Sequence, residues 1–152
     1  MRYTTVELPN QRYLPGESNF PPEGNFHSIL SSLDSEFNDV EKFQKSETYK
    51  YGIDLYNNGF WWETHEVFEK VWLKINRTSQ PALLIQSIIL LAAIKIKVHQ
   101  EKFSIIPNIK KGILTKLPHL PNRYMNLDIS HLIEQVKDIQ NKCDIQVQLL
   151  HS

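Results

Sequence analysis

Residues 57–72 read Asn-Asn-Gly-Phe-Trp-Trp-Glu-Thr-His-Glu-Val-Phe-Glu-Lys-Val-Trp and contain all three tryptophans of the chain. The Asn-Asn-Gly sequence predicts the end of a helix, because glycine readily adopts the left-handed backbone that stops one. A second helix is expected to begin at Phe60 or Trp61 and to continue to about Asn76. The stretch therefore predicts an antiparallel helical hairpin closed by a tight turn.

The second helix of this hairpin carries a polar stripe among aromatic residues. At about 100° per residue, His65, Glu69 and Trp72 fall within an arc of roughly 60°. Aromatic side chains flank the arc on both sides: Trp61, Trp62 and Phe68. We interpret the arc as the inward face of the helix. The opposite face is expected in solvent and consists of Glu63, Glu66, Lys70 and Lys74. On this face we expect Glu66 and Lys70 to form an i,i+4 ion pair.

The chain before the hairpin divides into an irregular segment and short helices. Residues 1–26 are rich in proline and glycine, which disfavour regular structure, and are also rich in apolar side chains. They are expected to form an N-terminal arm packed on the body. One or two short helices are predicted between His27 and Gln44, and Ser46 is the predicted N-cap of the first hairpin helix.

Three further helices are predicted after the hairpin. The first is capped by Thr78 or Ser79 and is apolar nearly all round between positions 81 and 94, which is typical of a central helix. The next runs from Pro107 to Leu117. The last is capped by Asp128 or Ser130, and its apolar residues at three-to-four spacing are Leu132, Ile133, Val136, Ile139, Cys143 and Val147.

Together these elements predict one all-α domain covering residues 1–152. It is a compact bundle of about five main helices (27–150) with an irregular, Pro-rich N-terminal arm (1–26) packed on it. A chain of 152 residues is long enough for one hydrophobic core and short for two.

Composition narrows the classes of partner. The 17 basic and 17 acidic residues cancel, so no net positive charge attracts nucleic acid or anionic lipid, and neither partner is expected. The N-terminus lacks the apolar core of a signal peptide, and no apolar run approaches the roughly 18 residues needed to span a bilayer. The single cysteine, Cys143, has no partner for an internal disulfide. We therefore expect a cytoplasmic protein.

The pattern His65-x-x-x-Glu69-x-x-Trp72, preceded by Leu55-Tyr56-Asn57-Asn58-Gly59 and Trp62-Glu63, resembles the signature of a known family. The family comprises small all-helical bacterial and archaeal proteins catalogued as a domain of unknown function. Metal binding has been suggested for it and no activity is assigned. The similarity covers about residues 12 to 133, including Tyr13-Leu14-Pro15-Gly16 and Gln86 leading into Ala92-Ala93.

The chain departs from this family at one place. Relatives often have a Pro-His-Pro segment after the arm, where this chain has Asn19-Phe20-Pro21 and lacks the histidine. The following Gly-His-Ser-like segment corresponds to His27-Ser28. If the first histidine contributes to a site in relatives, that contribution is lost here.

Three hypotheses follow for the polar stripe, and the first is structural. Glu69 would accept a hydrogen bond from His65, and a tryptophan N–H could join them. The resulting buried network would fix the geometry of the hairpin, since a buried carboxylate is tolerated only when it is hydrogen-bonded.

The second hypothesis is a divalent metal ion bound by His65 and Glu69. Residues at i and i+4 on a helix are close enough to share one cation. A catalytic site usually needs a third protein ligand, and the candidates are His27, Asp54 and His99. Such a site would suit metal-assisted hydrolysis. The His65-Glu66 dipeptide does not indicate a zinc peptidase, because the second histidine of that signature is replaced by Glu69.

The third hypothesis is a small-ligand or protein-binding module. Its aromatic groove would be lined by Trp61, Trp62 and Phe68 beside the polar stripe.

Overall fold

The computed structural model describes residues 1–17 and 24–151 and is 54% helical. The mostly helical structure is compatible with the expected all-α fold. One very short antiparallel hairpin of two-residue strands is also present. In chain order the elements are α1 (Phe26–Ser32), α2 (Val40–Gln44), α3 (Glu47–Asn57), α4 (Trp61–Trp72), α5 (Gln80–His99), α6 (Ile106–Leu114), β1 (Arg123–Tyr124), β2 (Leu127–Asp128) and α7 (Ile129–Lys137).

The predicted hairpin is formed by α3 and α4. The Ser46 hydroxyl caps α3 by accepting a hydrogen bond from the Tyr49 N–H at 3.1 Å. Gly59 reverses the chain at a φ of +86°, a value that glycine adopts without strain. The two helices approach closely where Gly52 faces Phe68. A Cβ at position 52 would lie 2.4 Å from the Phe68 ring, so this packing needs glycine.

The central element is α5, which packs against α4 on one side and α6 on the other. Ser79 caps it as predicted, accepting from the Ala82 N–H. By length and composition the stretch Gln80–His99 could cross a membrane, contrary to our expectation that no apolar run is long enough. Half of its most apolar window is buried inside the protein, and core helices of soluble proteins pass the same test.

Three tyrosines of α3 bind non-helical segments of the chain. Each hydroxyl donates a hydrogen bond to a main-chain carbonyl far away in sequence. Tyr49 reaches Met125 O at 2.7 Å, Tyr51 reaches Glu7 O at 2.7 Å, and Tyr56 reaches Ile145 O at 2.9 Å. These bonds satisfy hydroxyls that packing has removed from water. They attach the N-terminal segment, the β-turn and the C-terminal tail to one helix.

The C-terminal prediction was wrong in extent. α7 ends at Lys137, and residues 139–151 form no helix. The tail is not helical because its buried side chains occur at every second position. These are Cys143, Ile145, Val147 and Leu149. A period of two fits an extended chain. The Asn57 side chain replaces a neighbouring strand by bonding both the N–H and the carbonyl of Val147.

Other boundaries also differ from the sequence prediction. α4 ends at Trp72 instead of near Asn76, because the next turns tighten into i→i−3 bonds from Lys74 and Ile75. α6 starts one residue earlier than predicted and ends at Leu114, three residues short of Leu117. Residues 1–17 contain no helix or strand and lie against α3 and α4. The rest of the predicted arm includes residues 18–23, which lie outside the described residues.

Candidate functional site

His65 and Glu69 lie together on α4. The imidazole Nε2 is 2.5 Å from Glu69 Oε2, and the Nδ1 atom is 3.6 Å from Glu66 Oε1. Successive turns of the helix place positions 65 and 69 on one face, which brings the two side chains into contact. The histidine is therefore flanked by two carboxylates, one at each ring nitrogen.

The polar stripe is not the inward face of α4. The His65 and Glu69 side chains are 29% and 43% exposed, whereas the buried positions of the helix are Glu63, Thr64, Val67, Phe68 and Val71. Our assignment of the inward face was wrong because it used the tryptophans as the marker of burial. Val67 and Val71 with the small Thr64 mark the packed face, and the tryptophans lie at its edge.

Two lysines that we expected in solvent fasten α4 to the preceding segment. Lys70 donates to the carbonyl of Leu30 at 2.9 Å, so it does not pair with Glu66 as predicted. Lys74 donates to the Ser35 hydroxyl at 2.8 Å. These bonds link α4 and the turn after it to residues 30–35.

Glu63 is the main residue that sequence reasoning misplaced. It is 1% exposed, and its Oε2 accepts a hydrogen bond from the main-chain N–H of Tyr13 at 2.8 Å. Its Oε1 is buried with no hydrogen-bond partner among the described residues. Burial raises the pKa of Glu63 above 4.5, against the opposing effect of the Tyr13 N–H. No signal in the spacing of α4 distinguishes Glu63 from a solvent-facing glutamate, since its cover comes from a remote segment.

Asp54 is also buried, at 0% exposure, and holds the start of the chain. Its carboxylate accepts from the main-chain N–H groups of Tyr3 at 2.8 Å and Thr4 at 3.1 Å, and it pairs with the Arg2 guanidinium at 3.0 Å. Each helix of the hairpin thus supplies one buried carboxylate to the main chain of residues 1–17.

The structure does not bring the three proposed third metal ligands to His65 and Glu69. His27 is exposed on α1, Asp54 is occupied by the N-terminal residues, and His99 pairs with Glu17 at 2.9 Å. Within residues 1–17 and 24–151, no group of three or more His, Cys, Asp or Glu side chains could hold a metal ion. The donor set around His65 therefore fits two protein ligands and does not fit a three-ligand catalytic centre.

The aromatic residues divide into a core member and edge members. Phe68 is fully buried against Tyr49 and Gly52, so it is part of the core and does not line a groove. Trp62 is half-buried, and its ring packs on His65 with centroids 4.9 Å apart and on Tyr13 at 5.3 Å. Trp62 thus flanks the polar stripe and is in ring contact with His65.

The other two tryptophans each meet an arginine. The Arg12 guanidinium lies 5.6 Å from the Trp61 ring, and the Arg77 guanidinium lies 4.7 Å from the Trp72 ring. Trp61 also packs beside the His99 ring at 6.0 Å. These contacts place a cation over an aromatic face at both ends of α4.

The charge state of His65 follows from its neighbours. Glu66 first, and Glu69 after it, raise the pKa of His65 above 6.5, while burial acts in the opposite direction. Because the Nδ1 to Glu66 distance of 3.6 Å exceeds a normal hydrogen bond, we attribute the influence of Glu66 to its nearby charge. Protonation of the imidazole is therefore favoured by both carboxylates, and the protonated group would be one cation between two anions.

A cavity of about 500 Å³ lies elsewhere, between α7 and the C-terminal tail. It is lined by polar side chains including His131, Gln135 and Asp144 and contains none of the motif residues. The candidate site on α4 is accordingly an open edge with an aromatic wall.

Comparison with curated proteins gave no match to this chain. Residues 49–104 match a family model, and this range contains nearly all of α3, the whole of α4 and α5, and every residue of the His65, Glu69 and Trp72 motif. The model assigns no activity. The matching model is that of the domain of unknown function DUF309, and over residues 49–104 it confirms the resemblance inferred from the sequence.

Proposed function

We propose that this protein is a binding module whose ligand contacts one edge of α4. This α4 edge comprises Trp61, Trp62, His65, Glu69 and Trp72. The observation that supports it is that all five side chains are half-buried, although three are tryptophans large enough for a core. On the helix they fall within an arc of about 100°. Tryptophan and charged residues left partly open in one strip are typical of recognition surfaces.

The chemistry of the α4 edge favours a cationic ligand. Glu69 on the edge and Glu66 beside it present two carboxylates at His65, in the middle of the strip, whereas the arginine cations lie at its two ends, over Trp61 and Trp72. Trp62 offers an indole face beside them, and an exposed cation over an aromatic ring gains about 0.5–1 kcal/mol. The ligand class that fits is an organic cation, in particular a lysine or arginine side chain of a partner peptide.

The alternative that His65 and Glu69 form a buried network organising the hairpin has weaker support. Both side chains retain substantial exposure, and the buried polar bonds of the hairpin belong to Asp54 and Glu63. The motif pair is therefore better suited to meeting a ligand than to holding the fold. A cytoplasmic location is part of the proposal, since a single cysteine suits a reducing compartment.

A second candidate function is divalent-cation binding, and one observation favours it. The Glu66 carboxylate lies near Nδ1 of His65, which leaves Nε2 as the ligand nitrogen, and Nε2 is the atom that meets Glu69. A carboxylate behind the imidazole is the usual support of a metal-binding histidine. Two protein ligands would leave water in the remaining positions. The proposal is cation binding alone, because no described residue completes a hydrolytic centre.

Titration by NMR distinguishes these candidates. A short Lys/Arg peptide should shift the amide signals of α4, and Trp62→Ala and Glu69→Gln should each weaken binding about fivefold or more. Glu134→Gln on α7 is the matched control, because Glu134 is an exposed glutamate that pairs with Lys137 at the surface. An acidic peptide should produce no shift. Equal effects of Glu69→Gln and Glu134→Gln would refute the binding-module proposal.

Zn²⁺ and Co²⁺ titrations test the second candidate on the same samples. Binding that releases a proton and disappears in His65→Ala supports a metal site. Metal binding retained in His65→Ala would exclude the α4 edge as its location. If the peptide still binds after a chelator has removed metal ions, the α4 edge binds the organic cation without a metal.

A further inference from the structure

The net charge of the chain is zero, but acidic and basic residues are unevenly distributed along the sequence. Between positions 95 and 127 there is one acidic residue, Glu101, against seven basic ones: Lys95, Lys97, Lys102, Lys110, Lys111, Lys116 and Arg123. In the part of the chain that the structure describes, none of these seven makes an ion pair. The end of α5, α6 and the loop after it therefore carry a local excess of basic residues, whereas residues 1–94 carry an excess of acidic ones.

The same region exposes apolar side chains. The connection from α5 to α6 is a 3₁₀ turn, Phe103–Ile105, in which Phe103 is 36% and Ile105 is 39% exposed. Pro107 follows, also exposed, at the start of α6. We define the basic corner as Lys102, Phe103, Ile105, Pro107 and Lys111. Lys111 lies one helical turn beyond Pro107 on the same face of α6.

We propose that the basic corner binds an anionic lipid surface. Exposed lysines with no protein anion would approach the phosphate and carboxylate headgroups, and Phe103 and Ile105 would enter the interface between headgroups and acyl chains. Basic side chains beside exposed aromatic and aliphatic ones are the combination that gives interfacial binding without a membrane-spanning segment. This inference does not depend on the function proposed for the α4 edge.

Two observations favour lipid over other anionic partners. The protruding side chains are apolar and sit on a turn, which suits insertion into a soft interface better than packing on a nucleic acid backbone. Lysines predominate, and lysine acts as a point charge on many headgroups, whereas base and phosphate recognition more often uses the arginine fork. Our expectation of no membrane partner rested on net charge, which averages the acidic and basic parts.

Two of the lysines in the region contribute indirectly. Lys110 donates to the carbonyls of Lys137 at 2.6 Å and Ile139 at 2.8 Å, and Lys116 donates to Gly112 O at 3.2 Å. Their side chains hold the ends of α7 and α6. Lys102 and Lys111 are exposed, so they are the side chains to remove in a test.

The test is co-sedimentation of the full chain with vesicles of phosphatidylcholine alone or with about a third of phosphatidylserine. Binding should require phosphatidylserine and should be lost in high salt, which screens the headgroup charge. Each lysine contributes about a fivefold change in partitioning near such a surface, so Lys102→Gln with Lys111→Gln should weaken binding about 25-fold. The matched control is Lys42→Gln with Lys45→Gln, two exposed lysines at α2.

The apolar contribution is tested separately with Ile105→Ser. Ile105 is exposed and absent from the buried core, so this variant should fold normally while binding weakens severalfold. Equal binding to both kinds of vesicle, or equal losses in the corner and α2 variants, would overturn the proposal. A dimer that dissociates when Lys102 and Lys111 are replaced, with no vesicle binding, would assign the corner to a second copy of the chain and also overturn it.

Discussion

The α3–α4 hairpin carries two kinds of carboxylate, and their environments are opposite. Asp54 and Glu63 are 0% and 1% exposed and receive main-chain N–H groups from residues 1–17. Glu66 and Glu69 are 37% and 43% exposed and flank His65 on the outer edge of α4. The buried pair fastens one segment of the chain to another, whereas the open pair lies on the surface where we propose that a ligand binds.

The two buried carboxylates also differ from each other. Asp54 has two N–H donors and the Arg2 guanidinium, which offset the cost of removing its charge from water. Glu63 has the Tyr13 N–H and one oxygen without a partner in the described part of the chain. The elevated pKa of Glu63 agrees with this incomplete compensation. The comparison ranks the stabilising contributions as Asp54, then Glu63, then the His65 group.

The largest effect is expected at Asp54. Asp54→Ala removes the shared acceptor of Tyr3 and Thr4 and leaves the Arg2 charge unpaired, so the free energy of unfolding should fall by about 3–5 kcal/mol. Urea denaturation followed by tryptophan fluorescence measures it. Glu69→Ala is the control, with an expected loss below about 1 kcal/mol because its partner is half-exposed. Similar losses of stability in Asp54→Ala and Glu69→Ala would contradict the distinction between buried and open carboxylates.

A smaller effect is expected at Glu63, and it depends on the replacement. Glu63→Ala leaves the buried Tyr13 N–H without its acceptor and should cost about 1–3 kcal/mol. Glu63→Gln keeps an acceptor without a charge, so stability at pH 7 should be equal to or higher than that of the natural protein. Denaturant unfolding of both variants at pH 7 checks the order.

The pH dependence sharpens the Glu63 prediction. Because burial raises the folded pKa above the unfolded value, the folded protein holds the proton more tightly, and stability falls as pH rises from about 4.5 through the folded pKa. Glu63→Gln should lack this decline and should match the natural protein at low pH. A decline of the same size in Glu63→Gln would mean that another group causes it.

Much of the fold could be predicted from local signals in the sequence. Ser46 and Ser79 are caps with a side-chain oxygen at the right position, and Gly59 supplies the left-handed turn. These features depend only on neighbouring residues, so the sequence is sufficient to predict them. The apolar run of α5 likewise predicts a central helix, because a helix that is apolar nearly all round must be covered on most sides.

What the sequence did not predict depends on contacts between distant segments. Tyr13 covers Glu63, and no local pattern in α4 shows that a segment 50 positions earlier will do so. The tail from Cys143 fits both a three-to-four and a two-residue period, and Asn57 decides between them by bonding Val147. The contact between His65 and Glu69 could be predicted from their i,i+4 spacing, but the face on which they lie could not.

The smallest effect is expected at His65, where pH gives the clearest result. Glu66 and Glu69 raise the folded pKa of His65 above 6.5, so its contribution is fully present below pH 6.5 and is lost as pH rises through the folded pKa. His65→Ala should therefore cost less than about 1 kcal/mol at pH 6 and about nothing at high pH, since the pair is partly exposed. Denaturation curves from pH 5.5 to 9 measure the stability, and the imidazole NMR signals report the pKa.

Glu66→Gln combined with Glu69→Gln should return the pKa of His65 towards 6.5. A His65→Ala loss that is large and independent of pH would instead place this histidine with Asp54 among the groups that hold the fold.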